Sequence, residues 1–193
     1  MAEPNTIPGE ESLIAPLELR ELRRVFDYLC LYSEKKCIRS QDVTAILRRL
    51  GKNMSKGDIN SLIWEADEKL DGTIDWDEFT LNFQRNIHDK SGLEPAGFYN
   101  LVQFLIYDQN NNGFVSIDET MKMLYARYGR ETMEAKIGVL FGSAAQQEEG
   151  KEGGEIAFAT YCDAVEQTQM KMFKASELGR SIEAKKKKDK LKK

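Results

Sequence analysis

The chain has 193 residues, 41% of them hydrophobic and 31% charged, with a net charge of −4. This balance describes a globular protein of one domain or two small lobes, each with a modest core. It excludes a helical membrane span, because the best apolar run, residues 138–145 (GVLFGSAA), falls far short of the roughly 20 residues required.

Charge is divided unevenly along the chain. From Lys171 onward, ten Lys/Arg stand against Glu177, Glu183 and Asp189, so this tail carries 10 − 3 = +7 and the preceding residues −11. An acidic body suits cations, and a basic tail suits an acidic surface. Cys30, Cys37 and Cys162 are odd in number and lack metal-ligand spacing, which fits reduced thiols in the cytoplasm. The opening MAEPNTIPGEE lacks a basic-then-apolar pattern, so no secretory leader is expected and residues 1–15 are read as a flexible N-terminus.

Taken in chain order, the predicted elements repeat one outline of helix, short loop with a β-branched residue, and helix. The first unit opens after Pro16, a favoured first-turn residue, and places Leu19, Leu22, Val25, Phe26 and Leu29 on one face. Its loop is LYSEKKCIRSQD and its second helix VTAILRRLG. The second unit starts at a capping box of Ser55 and Asp58, runs through KGDINSLIWEA and the loop DEKLDGTIDWDE, and ends in FTLNFQRN. A breaker cluster, NIHDKSGLEPAG, follows with two glycines and a proline.

The third unit comprises AGFYNLVQFLIY, the loop DQNNNGFVSIDE and TMKMLYARYG, with Ser116 and Glu119 spaced as another capping box. In the fourth, ETMEAKIGVLF precedes a stretched polar loop and IAFATYCDAVEQTQMKMF. Such self-similarity marks one repeated building block. The expected architecture is all-α: eight helices in two four-helix lobes, residues 16–86 and 96–176, with a linker at 87–95 and a basic tail at 177–193. Ile38 with Ile74, and Val115 with Ile156, are expected to pair as tiny strands between loops.

The loop at Asp108–Glu119 has the spacing D-x-N-x-N-G-x5-E, in which oxygens at alternate positions converge on calcium, a glycine makes the turn and a glutamate closes the cage. On these residues the chain resembles the EF-hand superfamily, and its two-lobed layout is similar to calmodulin and troponin C. The resemblance spans about Leu17 to Phe173. It implies that Asp108, Asn110, Asn112, the Phe114 carbonyl, Ser116 and Glu119 hold Ca2+, with Mg2+ a competitor. In the second loop it implies Asp67, Asp71, Thr73, Asp75 and Glu78, but Lys69 replaces an oxygen ligand with a group that has no acceptor lone pair.

The other two loops depart further. In the first, Leu31, Ser33, Lys35 and Lys36 stand where ligands and the glycine belong, and Asp42 is short for a closing glutamate. In the fourth, Thr160 takes the closing position. Both are expected to be structural partners that cover an apolar face. The segment IAFATYCDAVEQTQMKMF is also similar to the end of calaxin-like proteins, which belong with the EF-hand subunits of outer dynein arm docking complexes. That resemblance implies a ciliary or flagellar axoneme, coiled-coil docking partners, and proximity to dynein and microtubules.

Helix-in-groove binding of a protein partner is therefore expected, as an adaptor; the alternatives are a free calmodulin-like sensor or a motor light chain. Met121, Met123, Met133, Met170 and Met172 either line such a groove or pack the core. The tail either grips an acidic surface or is solvated. No aromatic group follows Phe173 to stack on bases, and no membrane-inserting face is present, so neither specific nucleic acid nor membrane is expected. Enzymatic function is not expected, because His88 and Cys162 have no oxyanion hole or orienting partner. Cys30 and Cys37 read as idle thiols, and Trp64 and Trp76 as packing residues.

Overall fold

A computed structural model describes residues 16–30, 36–142, 154–176 and 180–181. Helix α1 (Pro16–Leu29) leads into strand β1 (Ile38–Arg39), then α2 (Ser40–Arg49) and α3 (Lys56–Trp64). Strand β2 (Thr73–Ile74) precedes α4 (Trp76–His88). The second half holds α5 (Gly97–Tyr107), β3 (Phe114–Ser116), α6 (Ile117–Phe141), β4 (Glu155–Ala157) and α7 (Phe158–Ala175). The expected all-α architecture is present.

Each half contains one two-stranded antiparallel pairing. Ile38 faces Ile74, and Val115 faces Ile156. All four side chains are buried, as a β-branched residue at the centre of a short ladder should be. Both expected capping boxes form. The Ser55 and Ser116 hydroxyls accept from the amides of Asp58 and Glu119, each at 3.2 Å, and the acid in turn accepts from the cap amide.

Eight helical segments were expected; seven helices are described, one of them made of two segments that meet at a kink. The reason lies in α6, which runs through the end of the third unit and the start of the fourth. It is broken at Gly129, whose φ of 71° and ψ of −179° are closed to residues with a Cβ. Leu19 is a correction: it stands 40% exposed, off the face formed by Leu22, Val25, Phe26 and Leu29. Trp64 is another, at 67% exposed, whereas Trp76 packs edge-on to Phe26 with ring centres 5.3 Å apart.

Helix α5 determines how the two halves meet. Its sequence GFYNLVQFLIY is apolar on nearly every side, and a helix of that kind must be surrounded. Nine of its eleven residues, from Phe98 and Asn100 to Tyr107, are buried. Phe98 lies against Phe79 of α4, with ring centres 6.1 Å apart, and Tyr99 against Phe83 at 5.3 Å. One core therefore continues across the segment that the sequence marks as a boundary.

Charged residues of the first half cap both ends of α5. Ala96 at its N-cap offers no side-chain bond; the Glu65 carboxylate accepts from Phe98 N at 2.7 Å instead. Gly97 lets these side chains come close: a Cβ would lie 2.6 Å from Leu62 Cδ2 and 2.9 Å from Glu65 Oε1, and both side-chain ends would have to move aside. At the other end Arg24 donates to the carbonyls of Leu105 (2.7 Å) and Ile106 (3.3 Å). An acid at the N-terminus and a base at the C-terminus both complement the helix dipole.

The segment expected as a linker is also packed. Asp89 accepts from Ser91 N, Ser91 Oγ and Glu94 N, forming a compact turn. Gln169 of α7 donates to the Glu94 carbonyl at 2.9 Å. Truncating Phe98 to alanine should lower stability by about 3–5 kcal/mol, the usual cost for a buried phenylalanine. The two halves should also unfold together. Denaturation followed by Trp76 fluorescence and by far-UV circular dichroism should give coincident transitions in both proteins, and separated transitions would contradict the shared core.

Candidate metal centre

The third loop begins at the C-cap of α5 and ends in the first turn of α6. Asn111 and Gly113 take positive φ values of 55° and 86°, which fold the segment back on itself. Backbone amides then fix the inward oxygens. Asp108 accepts from Asn112 N and Gly113 N, both at 3.0 Å; Asn110 accepts from Asn112 N at 2.8 Å; Asn112 accepts from Phe114 N at 2.8 Å. Ser116 caps α6, and Glu119 Oε2 accepts from Ser116 N and Oγ at 3.0 Å.

Asp108 is only 1% exposed. Burial pushes its carboxyl above the usual range, and the nearby Glu119 charge adds to that effect. Among the described residues, no lysine or arginine forms an ion pair with either acid. A buried carboxylate with no cation beside it, set among neutral amide and hydroxyl oxygens, is a donor set that fits a hard divalent ion.

The second loop has the same backbone and a different charge balance. Leu70 (φ 57°) and Gly72 (φ 80°) repeat the two positive-φ positions. Asp67 accepts from Asp71 N (3.1 Å) and Gly72 N (2.8 Å), and Asp71 from Thr73 N (2.9 Å) and Thr73 Oγ1 (2.7 Å). Asp75 caps α4, while Glu78 accepts from Asp75 N at 3.0 Å and Lys69 N at 2.9 Å. Here the Lys69 ammonium forms an ion pair with Asp75 and, by bonding to it, holds that carboxyl below its usual range. This loop supplies its own cation.

Among the described residues, no three His, Cys, Asp or Glu side chains are grouped to hold a metal. At the ligand positions of the third loop only Asp108 and Glu119 are acids; in the second, Asp67, Asp71, Asp75 and Glu78 are turned toward separate donors. In the first loop, the residues at the turn and closing positions are engaged in other ways. Lys36 takes the turn with φ 47°, and the Asp42 carboxylate is held by Arg39 through its amide (3.0 Å) and guanidinium (Nε 3.0 Å). Leu31, Ser33 and Lys35 lie outside the described residues. So does most of the fourth loop, although Thr160 is exposed on α7.

Sequence reasoning missed the contacts between the first unit and the third loop. Arg49, at the end of α2, donates to the Asn111 carbonyl at 2.8 Å and to Tyr28 OH at 2.7 Å. Leu50 comes within 3.8 Å of where a Cβ on Gly113 would lie. Only tertiary packing brings positions so far apart in sequence together. The methionines divide: Met123 and Met133 are buried, whereas Met121, Met170 and Met172 are exposed. Burial pushes the Cys30 thiol up to about 12 and also raises Cys162, which disfavours a thiolate nucleophile at either position. His88 Nδ1 donates to the Gln84 carbonyl at 2.7 Å.

Two helices flanking a twelve-residue loop, twice over, with short strands joining the loops, is the geometry of an EF-hand pair. Residues 34–85 match a family model described as an EF-hand domain pair. The chain belongs to the EF-hand superfamily. It is also similar to a calmodulin-like protein of Oryza sativa subsp. japonica, 30% identical over 121 residues. The match covers 60% of this chain and spans 66% of that relative's own length. EF-hand loops bind Ca2+ as a class, and the second loop has more acids at its ligand positions than the third but carries Lys69 where the third has Asn110. Replacing Lys69 with aspartate should therefore let the second EF-hand loop take calcium more tightly. Isothermal titration calorimetry should show a stronger or additional binding event, and a thermogram unchanged from wild type would mean that something other than the lysine disables the loop.

Proposed function

We propose that the protein is a non-enzymatic, calcium-modulated adaptor that binds through its third EF-hand loop. Asp108, Asn110, Asn112, the Phe114 carbonyl, Ser116 and Glu119 hold the ion. The supporting observation is the buried Asp108 carboxylate, which is fixed by two amides and forms no ion pair among the described residues. Two acids among neutral oxygens favour weak binding, on the order of 10⁻⁵ M, at which Mg2+ competes. In the second loop Asp67, Asp71, Thr73, Asp75 and Glu78 remain ligands in waiting, with Lys69 standing in for part of an ion's charge.

The partner is a protein helix. Helix α5 packs against the aromatic rings of α4 in the first half, and the exposed Met121, Met170 and Met172 support a partner surface on the second half. The similarity of residues 156–173 to calaxin-like proteins supports a finer reading: a subunit of an outer dynein arm docking assembly in the axoneme, beside coiled-coil subunits and microtubules. A constantly bound adaptor is favoured over a free sensor or motor light chain because the first half is already packed shut around its own helix.

Glu119→Gln should weaken calcium binding by at least about tenfold, equal to about 1.4 kcal/mol, since the closing carboxylate is lost; calorimetry showing wild-type affinity would contradict the assignment. Co-purification from ciliated cells separates the adaptor from the sensor. An adaptor stays with its partner in calcium chelator, and a sensor is released.

A further inference from the structure

Helix α2 ends in a fixed turn. Gly51 takes a φ of 76°, and the amides of Gly51 and Lys52 donate to the carbonyls of Arg48 (3.1 Å) and Leu47 (2.8 Å), the closure that glycine allows at a helix C-terminus. Residues around this turn meet the second half. Arg49 Nη2 donates to the Asn111 carbonyl at 2.8 Å. Leu50 Cδ2 would lie 3.8 Å from a Cβ on Gly113, and Lys52 Nζ stands 5.4 Å from the centre of the Phe158 ring, at the first residue of α7. The exit of the first unit therefore touches both the third loop and the helix that follows β4.

One peptide unit carries the Arg49 contact into the candidate ligand set. The carbonyl of Asn111 and the amide of Asn112 belong to the same planar group. While the carbonyl accepts from Arg49, the amide donates to Asp108 Oδ1 at 3.0 Å and to Asn110 Oδ1 at 2.8 Å. Fixing the oxygen end of a rigid plane fixes its hydrogen end. A guanidinium on the carbonyl also polarises the amide and strengthens the bonds it makes. The second loop has a tie of its own, the ion pair of Lys69 and Asp75. The third loop has no internal ion pair among the described residues, and Asn111 turns at a φ of 55° with its Oδ1 buried and without a hydrogen-bond partner. An unpartnered buried oxygen works against this conformation, so a hold from outside the loop matters more here.

We propose that Arg49 is a positioning residue of the third-loop calcium site: through the Asn111–Asn112 peptide it holds Asp108 and Asn110 in place for the ion. The inference rests on the reading of that loop as the calcium site. The charge of Arg49 opposes a cation, whereas its bond orients two ligands. Arg49 is exposed, where water and salt screen the repulsion. Orientation prevails, and calcium binds more tightly with Arg49 than without it.

Calcium titration of the full chain by calorimetry in about 0.15 M salt, beside 1H–15N spectra in chelator, tests this. Arg49→Met keeps the aliphatic stem and loses the donor. It should weaken calcium binding at least about threefold, the usual worth of one hydrogen bond, and should shift the Asn112 amide signal. Arg49→Lys restores a donor and should recover most of the affinity and return the signal toward its wild-type position. Repulsion alone would give the opposite result, tighter binding in the Met variant. Equal or tighter calcium binding in the Met variant, no recovery in the Lys variant, or an unmoved Asn112 signal would each overturn the proposal. A wild-type chain that takes no calcium at the third loop would instead overturn the reading of that loop, and the Asn112 signal would still report on the Arg49 contact.

Discussion

The capping of α5 by the first half is the constraint from which the architecture follows. A helix that is apolar all round cannot end in solvent on any side, and its first amides and last carbonyls still need partners. Glu65 meets one end and Arg24 the other, from α3's C-cap and from α1. Because each cap carries charge of the sign that the helix dipole favours, the arrangement selects one axial position for α5 in the first half. Arg127 adds a third tie, pairing with Glu18 of α1 and lying 5.2 Å over the Phe83 ring. The halves are joined by polar contacts that define register as well as by apolar packing that supplies the stabilisation.

Once the halves are fixed together, the first unit has a role beyond covering an apolar face. The end of α2 reaches the third loop through Arg49 and Leu50, and the bond from Arg49 is to the carbonyl of Asn111, one of the two residues that bend the loop. Rearrangement of that loop would be felt at α2 directly. The contrast between the second and third loops has a simple physical origin. Both fold alike because the amides orient the acids in the same way, but one contains an ammonium and the other does not. Backbone geometry and charge balance are separable properties of this motif.

Much of the fold could be read from the chain. The four repeats, both strand pairings and both capping boxes were each carried by local pattern: period, a β-branched residue in the loop, and Ser three residues before an acid. The candidate ligands of the third loop were equally plain, since a twelve-residue loop places its own oxygens. What could not be read were contacts between distant positions. The breaker cluster before α5 looked like a free boundary because glycine and proline end helices, yet such residues also allow close approach, as Gly97 does against Leu62 and Glu65. GFYNLVQFLIY did contain the warning, since a helix with one solvated side would not be apolar on every side. Leu19 failed for the opposite reason: helical spacing placed it beside the apolar face, and no neighbour came to cover it.

The break at Gly129 also bears on how this protein can vary. The residues before it, Arg127 and Tyr128, line a cavity of about 310 Å³, and so do Lys136 and Leu140 beyond it, so both arms of the bent helix form one wall. The angle between those arms is set at a single position without a side chain, where a Cβ would meet no atom within 4 Å and backbone conformation alone opposes replacement. Such a joint sets the width of the chamber through one torsion, apart from the form of the loops upstream.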